Sequence, residues 1–500
     1  MKTIKGLILG SAAGILAVGG AQAADLPVKA KAVEYVKVCS LYGAGFYYIP
    51  GSDTCIKIGG AIRIDTSFNA NAYDTPFWQG GAGGSGAYTQ DYFLTRERIN
   101  LTTDTRTATE YGVVRTYANI QFDFSQNRES IAGGFTEVDY AFIQFAGFTF
   151  GKAVSQFDPQ WALSKPTISS GFLAGSNNTT GLPQIAYTAS FGNGVSGTIA
   201  LENASPYRNA GLYNNSVALV GPFGSNTSGT YGVSSNTFTG NSYGGNHIPD
   251  VVGNLRLDQA WGSLHFGAAM HTITPTFYSN AAGAAGAHAD DSYGFAVNGA
   301  IEFKNLPTGA GDSLKFNATY AKGAAKYAFT GGTTDTSGGG RFAKADANSI
   351  AFGYVLDGVY TNGGQIQQSE AWSVVGFYEH YWNPAWRTSL FGSYSAISYG
   401  DSGNALLAAA FAPGRTLGSN NGTLVGSTNN FDFAIAQIGS RTAWTPVKNL
   451  TLSAEFTYSR LEQKLDGSLT GLAVSGRPTG TYAVQNQNLY NGSVQILRSF

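Results

Sequence analysis

Charge is what this chain has little of. Only 12% of its residues are Asp, Glu, Lys or Arg, against about a quarter in an ordinary soluble domain, so a soluble globular fold fits poorly. Long apolar runs are scarce too. After the N-terminus no segment approaches the roughly 18 uninterrupted apolar residues that carry a helix across a bilayer, and nothing marks a helical inner-membrane protein. The only histidines are His247, His265, His271, His288 and His380, and none sits in an HExxH, GxSxG or zinc-ligand spacing. An enzymatic reading is therefore weak, and neither a cofactor nor a metal is expected. A Ser-His or Asp-His constellation assembled only in space stays open.

Aromatics are abundant where charge is not: 13% of residues, with 28 Tyr and 31 Phe. The 67 Gly cluster with Ser, Thr and Asn into stretches such as 203–247 and 400–429, which are expected to be long polar loops rather than packed elements. Lys2 and Lys5 precede an apolar run from Gly6 to Val18 and then Ala21-Gln22-Ala23, the pattern of a secretory signal over 1–23 cleaved before Ala24. Without those two lysines, 28 basic groups stand against 31 acidic ones, a net charge of −3, which argues against nucleic acid as a partner.

Ile56, Ile58, Ile62 and Ile64 alternate with Lys57, Gly59, Ala61, Arg63 and Asp65, and this two-residue period recurs to Phe500. Such a strand separates a dry face from a wet one, as between lipid and a water-filled lumen. Strands are expected near 55–68, 88–102, 109–124, 134–145, 148–153, 181–191, 196–202, 249–260, 264–275, 291–304, 312–328, 370–382, 386–399, 430–444, 450–463 and 485–500. Short turns, such as Ala146-Gly147 and Asn383–Ala385, alternate with long loops. Asn348–Leu356 also has strand character, but counting it as wall would put the Asn383-Pro384 turn on the loop side, so it belongs to a folded loop. The expected fold is all-β: a sixteen-stranded antiparallel transmembrane β-barrel over 55–500 with short periplasmic turns and long extracellular loops. It is preceded by a periplasmic segment over 24–54. Cys39 and Cys55 are the only cysteines, and in an oxidising compartment they are expected to form a disulfide.

Four stretches then become familiar: YVKVCSLYGAGFYYIPGSDTCIKIGG at 35–60, FIQFAGFTFGK at 142–152, YEHYWNPAWRTSLFGSYS at 378–395 and GSRTAWTPVKNL at 439–450. In these the chain closely resembles the porin family typical of alphaproteobacteria. The resemblance implies a homotrimeric channel of the Gram-negative outer membrane, surrounded by lipid and lipopolysaccharide, that passes small hydrophilic solutes and ions by passive diffusion. It also implies a third loop folded into the pore, and a last strand (Tyr490, Val494, Ile496, Phe500) similar to the signal read by barrel-assembly machinery. Arg498 departs from that apolar row.

Strict alternation turns Lys57, Arg63 and Asp65 inward from the first strand, Arg96, Arg98 and Asn100 from the second, and Arg115, Asn119, Gln121 and Asp123 from the third. After Lys152 the chain leaves the wall, and the resemblance puts Asp158 on the inward loop. The expected constriction is a basic wall (Arg63, Arg96, Arg98, Arg115, Lys152) opposite an acidic loop at Asp158, filtering solutes by size and charge. Polar groups that merely wet a lumen are the plainer alternative. Glu97 breaks the pattern: turned outward, its carboxylate meets lipid, reaches the interface, or is covered by a neighbouring subunit that supplies a donor. The last, a trimer contact, is the expectation. His288, Asp290 and Asp291 could hold a divalent cation but are expected to be solvated. A sugar-selective channel would want an aromatic track along the lumen, for which Trp78 and Trp161 are the tryptophans in candidate loops.

Overall fold

The structure, a computed structural model, describes residues 37–70, 76, 78, 81–86, 91–125, 135–162, 164–169, 180–203, 210–217, 241–278, 286–329, 341–413, 421–474 and 476–500. The expected signal segment lies outside them. Sixteen strands form the wall: β1 Thr54–Phe68, β2 Phe93–Thr109, β3 Gly112–Ser125, β4 Phe135–Phe145, β5 Phe148–Ala153, β6 Leu182–Gly192, β7 Val195–Glu202, β8 Asp250–Gln259, β9 Gly262–Ile273, β10 Ser292–Lys304, β11 Ser313–Lys322, β12 Glu370–Asn383, β13 Trp386–Ser398, β14 Phe433–Val447, β15 Leu450–Gln463 and β16 Gln487–Ser499. Each pairs antiparallel with the next, and β16 closes on β1 through Ile64↔Ile496 and Thr66↔Val494. Closure leaves no sheet edge, which a backbone in lipid requires.

The alternation in β1 is two-faced as expected. Ile58, Ile62 and Ile64 are exposed on the outside, while Asp65 is 1% exposed inside. Two strand bounds differ from expectation. The second strand is displaced, running 93–109 rather than 88–102, because the Thr-rich stretch after Leu101 keeps the same two faces although its polarity hides them. The expected 312–328 strand leaves the wall after Lys322.

At the short-turn end, Cys39 and Cys55 form the disulfide, and Tyr47–Tyr48 adds a short strand beside the start of β1. The ring of Phe500 lies over Gly60, where a Cβ would come within 2.9 Å of it and 2.3 Å of the Asn100 carbonyl. A side chain at that position would unseat the terminal aromatic. Arg498 points outward and donates to the Lys448 carbonyl at 2.5 Å, so it is tied to the last short turn and not set in the middle of the wall.

The long loops are not the unpacked polar segments expected. Ser349–Tyr354, inside the anticipated loop strand, pairs with Arg341–Asp346 and runs parallel to Gly480–Val484. The sheet continues through Ser468–Leu472 to Asn421–Val425, so three loops share one five-stranded sheet. A helix, α1 (Gly400–Ala410), forms where polar loop was expected. Beneath lies a core that includes Tyr213, Phe329, Phe342, Phe352, Phe411, Phe431 and Phe433, with Trp78 packed into it. Residues dispersed through Gly- and Ser-rich sequence thus bury enough apolar area to order a cap over one end of the barrel.

A buried polar network ties cap to wall. His271 Nδ1 on β9 lies 2.7 Å from Asp250 Oδ1 on β8, and the Tyr327 hydroxyl donates to Asp250 Oδ2 at 2.6 Å. Tyr243 donates to Asp357 Oδ2 at 2.5 Å, and Asp357 Oδ1 accepts the Ala325 amide. Each charge here has partners, which sequestered ions require.

Candidate pore constriction

Inside the barrel, β1 to β4 carry three charge clusters built by cross-strand register. Arg96 sits opposite Asp65 and donates to it at 2.7 Å, while Arg63 two residues before Asp65 donates from Nε at 2.9 Å. Arg98 faces Asp123 and forms a two-pronged contact at 2.5 and 2.9 Å, with Glu137 3.7 Å away. Arg106 and Arg115, opposed across β2 and β3, both grip Asp104, each through Nη2 to Oδ2 at 3.0 Å. Planar guanidiniums suit such forked pairing and hold their side chains flat against the wall.

After β5 the described residues 154–162 and 164–169 lie inside the barrel. At the start of this loop Glu202 at the end of β7 accepts from the Ser155 hydroxyl at 2.7 Å and the Gln156 amide at 2.6 Å. Phe157 is fully enclosed against Ala186, Ala200, Ala269, Ala296 and Ala321, which project inward from five strands. Small inward residues on that arc leave the space that the loop fills. The Phe157 carbonyl meets His265 Nε2 at 2.9 Å, and Asn254 donates to the Gln156 carbonyl at 2.7 Å. Trp161 packs edge-on to Phe377, and Lys315 donates to the Ser164 carbonyl. At the far side Glu455 on β15 accepts the Ile168 and Ser169 amides at 2.5 and 2.8 Å, and Arg63 reaches the Ile168 carbonyl at 3.5 Å. The loop therefore lies along the inner wall from β7 round to β15.

Asp158 is 3% exposed. Burial lowers the pKa of the nearby Lys165 amine to about 8, opposed by the charge of Asp158. Lys152 donates to the Val138 carbonyl at 2.5 Å. The counter-charges that face the wall arginines are Asp65, Asp104, Asp123 and Glu137 on the wall itself. Asp65 and Asp123, whose inward turn follows from alternation, thus stand paired among the wall arginines, and the wall carries both signs. The reason is register: antiparallel pairing sets Asp65 beside Arg96 and Arg98 beside Asp123, which positions in one strand do not reveal.

Sequence reading missed Asp104, Arg106 and Glu455. The first two continue the parity of Arg96, Arg98 and Asn100, a signal lost when the strand was ended at 102. Glu455 had the inward parity of its strand but no mark of its role. Glu97 lies outward, opposite Ile64 and Phe124, and is exposed. Glu97 therefore stands on the outer wall. His288 bonds to the Ala289 carbonyl, Asp290 and Asp291 are exposed, and among the described residues no group of three His, Cys, Asp or Glu is placed to hold a metal.

Residues 25–493 match the porin subfamily. Porin Omp2b of Brucella canis is 32% identical over 273 residues, covering 52% of this chain and 64% of that protein. Porin Omp2b of Brucella abortus (strain 2308) matches with the same identity and coverage. The match thus spans 64% of the length of these curated relatives. Among solved structures, the outer membrane channel DcaP of Acinetobacter baumannii shares the fold, with a TM-score of 0.56 at 14% identity, covering 91% of this chain and 99% of that one.

Proposed function

Since this chain belongs to the porin subfamily and is a barrel of the Gram-negative outer membrane, we propose that it is a water-filled channel. Small hydrophilic solutes and ions cross it by passive diffusion and are filtered by size and charge at the loop after β5. The observation that carries this is the loop pinned across the lumen from both sides, by Glu202 at its start and Glu455 farther on, beside a wall lined with guanidiniums and carboxylates. Rings of charge at a narrow aqueous passage select ions by their field. Arg63, Arg96, Arg98, Arg115, Lys152 and Asp158 are the proposed constriction residues.

The channel works as a homotrimer in outer-membrane lipid and lipopolysaccharide, with Glu97 at the subunit contact and Phe500 as the terminal residue recognised by barrel-assembly machinery. It carries no catalysis. The test is single-channel recording of the purified protein in a planar bilayer, with reversal potential in a salt gradient. Discrete conductance steps are expected. Inserted protein without steps would overturn the reading, and hydrolysis of an ester or peptide would overturn the non-enzymatic part.

A further inference from the structure

Between the crossing loop and the short-turn end, the inner wall holds an aromatic shelf that the charge clusters do not explain. Tyr117 on β3 faces Phe142 on β4 across the strand pair, their rings inclined at 29° with centroids 5.4 Å apart, and Tyr140 flanks Tyr117 at 6.1 Å. All three are half-buried. The Arg115 guanidinium lies over both Tyr117 and Phe142, 5.3 and 5.6 Å from their centroids. This shelf borders a cavity of 470 Å³ that also meets Gln144, Gln156, Thr198 and Asn254, within the size range of small-molecule sites.

Aromatic faces next to amides and hydroxyls suit a ligand with an apolar face and a polar rim. Arg115 is already held by Asp104 at 3.0 Å and Arg256 by Asp258 at 2.6 Å, while Asp158 has Lys165 nearby. Arg115 and Arg256 each touch a carboxylate, although Arg106 shares Asp104 with Arg115 and Arg256 Nη1 has no hydrogen-bond partner among the described residues. The choice of a neutral polyhydroxyl ligand therefore rests on the aromatic faces and on the amides and hydroxyls that make up the rim. The polar rim keeps capacity: Gln144 accepts from Arg115 and donates to Thr149, whereas an amide offers two donor and two acceptor positions.

We propose that Tyr117, Tyr140 and Phe142, with the amide of Gln144, form a subsite for a neutral pyranose sugar on the short-turn side of the crossing loop. One face of the sugar rests on the aromatic shelf, and its hydroxyls exchange hydrogen bonds with the amide rim. The inference rests on the channel reading above and names a solute class for it.

The test is ion current through the full-length channel in a planar bilayer, titrated with glucose, with maltose and, in parallel, with benzoate. Saturable reduction of current by a sugar is expected in the unmodified protein. The apparent affinity should weaken about three- to tenfold in Phe142→Ala and in Tyr117→Ala, the scale of losing one ring contact, and stay near the original in Tyr117→Phe. Sugar-free conductance reports whether each variant is intact, and Gln144→Leu gives an independent change at the rim. A current that falls with sugar only linearly, as solution viscosity rises, overturns the subsite and leaves the channel standing. Saturation by benzoate but not by sugar overturns the choice of ligand. Absence of current would instead defeat the channel reading.

Discussion

Arg96 donates to Asp65 over 2.7 Å across the first two strands, with both side chains almost wholly covered. Asp65 also takes Arg63 and the amide of Gln495 on β16, so one carboxylate joins three strands at the barrel seam. Asp65→Asn removes the carboxylate charge that the two guanidiniums share and should shift permeability toward anions, whereas Arg63→Gln should shift it toward cations. Reversal potentials in a salt gradient read both. Breaking a buried pair from one side costs about 3–5 kcal/mol, so Arg96→Leu should also lower the temperature at which the folded barrel is lost on a semi-native gel.

The far end of the crossing loop hangs on Glu455. Glu455→Ala removes the acceptor of the Ile168 and Ser169 amides; the expected result is larger and noisier single-channel current. A quiet channel of unchanged conductance would mean that the remaining contacts, at Glu202, Asn254, Lys315 and the enclosed Phe157, suffice to hold the loop.

The Lys165 amine, lowered to about 8, loses its positive charge as pH rises through that value. The reversal potential should therefore move toward cation preference between about pH 7 and 9, and Lys165→Met should remove that step and show the cation-shifted value throughout. A pH titration of the potential in both proteins checks this.

Cys39 and Cys55 are bonded to each other and nearly inaccessible. Maleimide labelling of denatured, non-reduced mature protein should find no thiol, and labelling after reduction should find two. In the chain-entropy account a loop of this size contributes about 3 kcal/mol, so Cys39→Ser should lower the unfolding temperature.

Glu97→Leu should change the heat resistance of the oligomer on a semi-native gel and leave conductance per pore unaltered. Unchanged melting would show that Glu97 faces lipid or the interface instead of a subunit.

Alternation along single strands determined much of this protein without tertiary help. The dry and wet faces of Ile56–Asp65, the inward turn of Arg63, Arg96, Arg98 and Arg115 and the outward turn of Glu97 all follow from a period of two residues, which is local, and the even strand count follows from short turns alternating with long loops. The two cysteines likewise announced their bond. What the sequence could not decide was relation across distance. Whether Arg96 meets Asp65, whether Arg106 and Arg115 share Asp104, and whether Tyr117 meets Phe142 depend on register between strands, where a slip of one residue would turn each side chain to the other face. The cap shows the same division most plainly: Phe342, Phe411 and Phe431 stand in separate stretches, and only when three loops pair into one sheet do they find each other and leave water. The crossing loop follows suit, since the inward alanines that receive Phe157 come from strands far apart in sequence and become a recess only once the barrel closes.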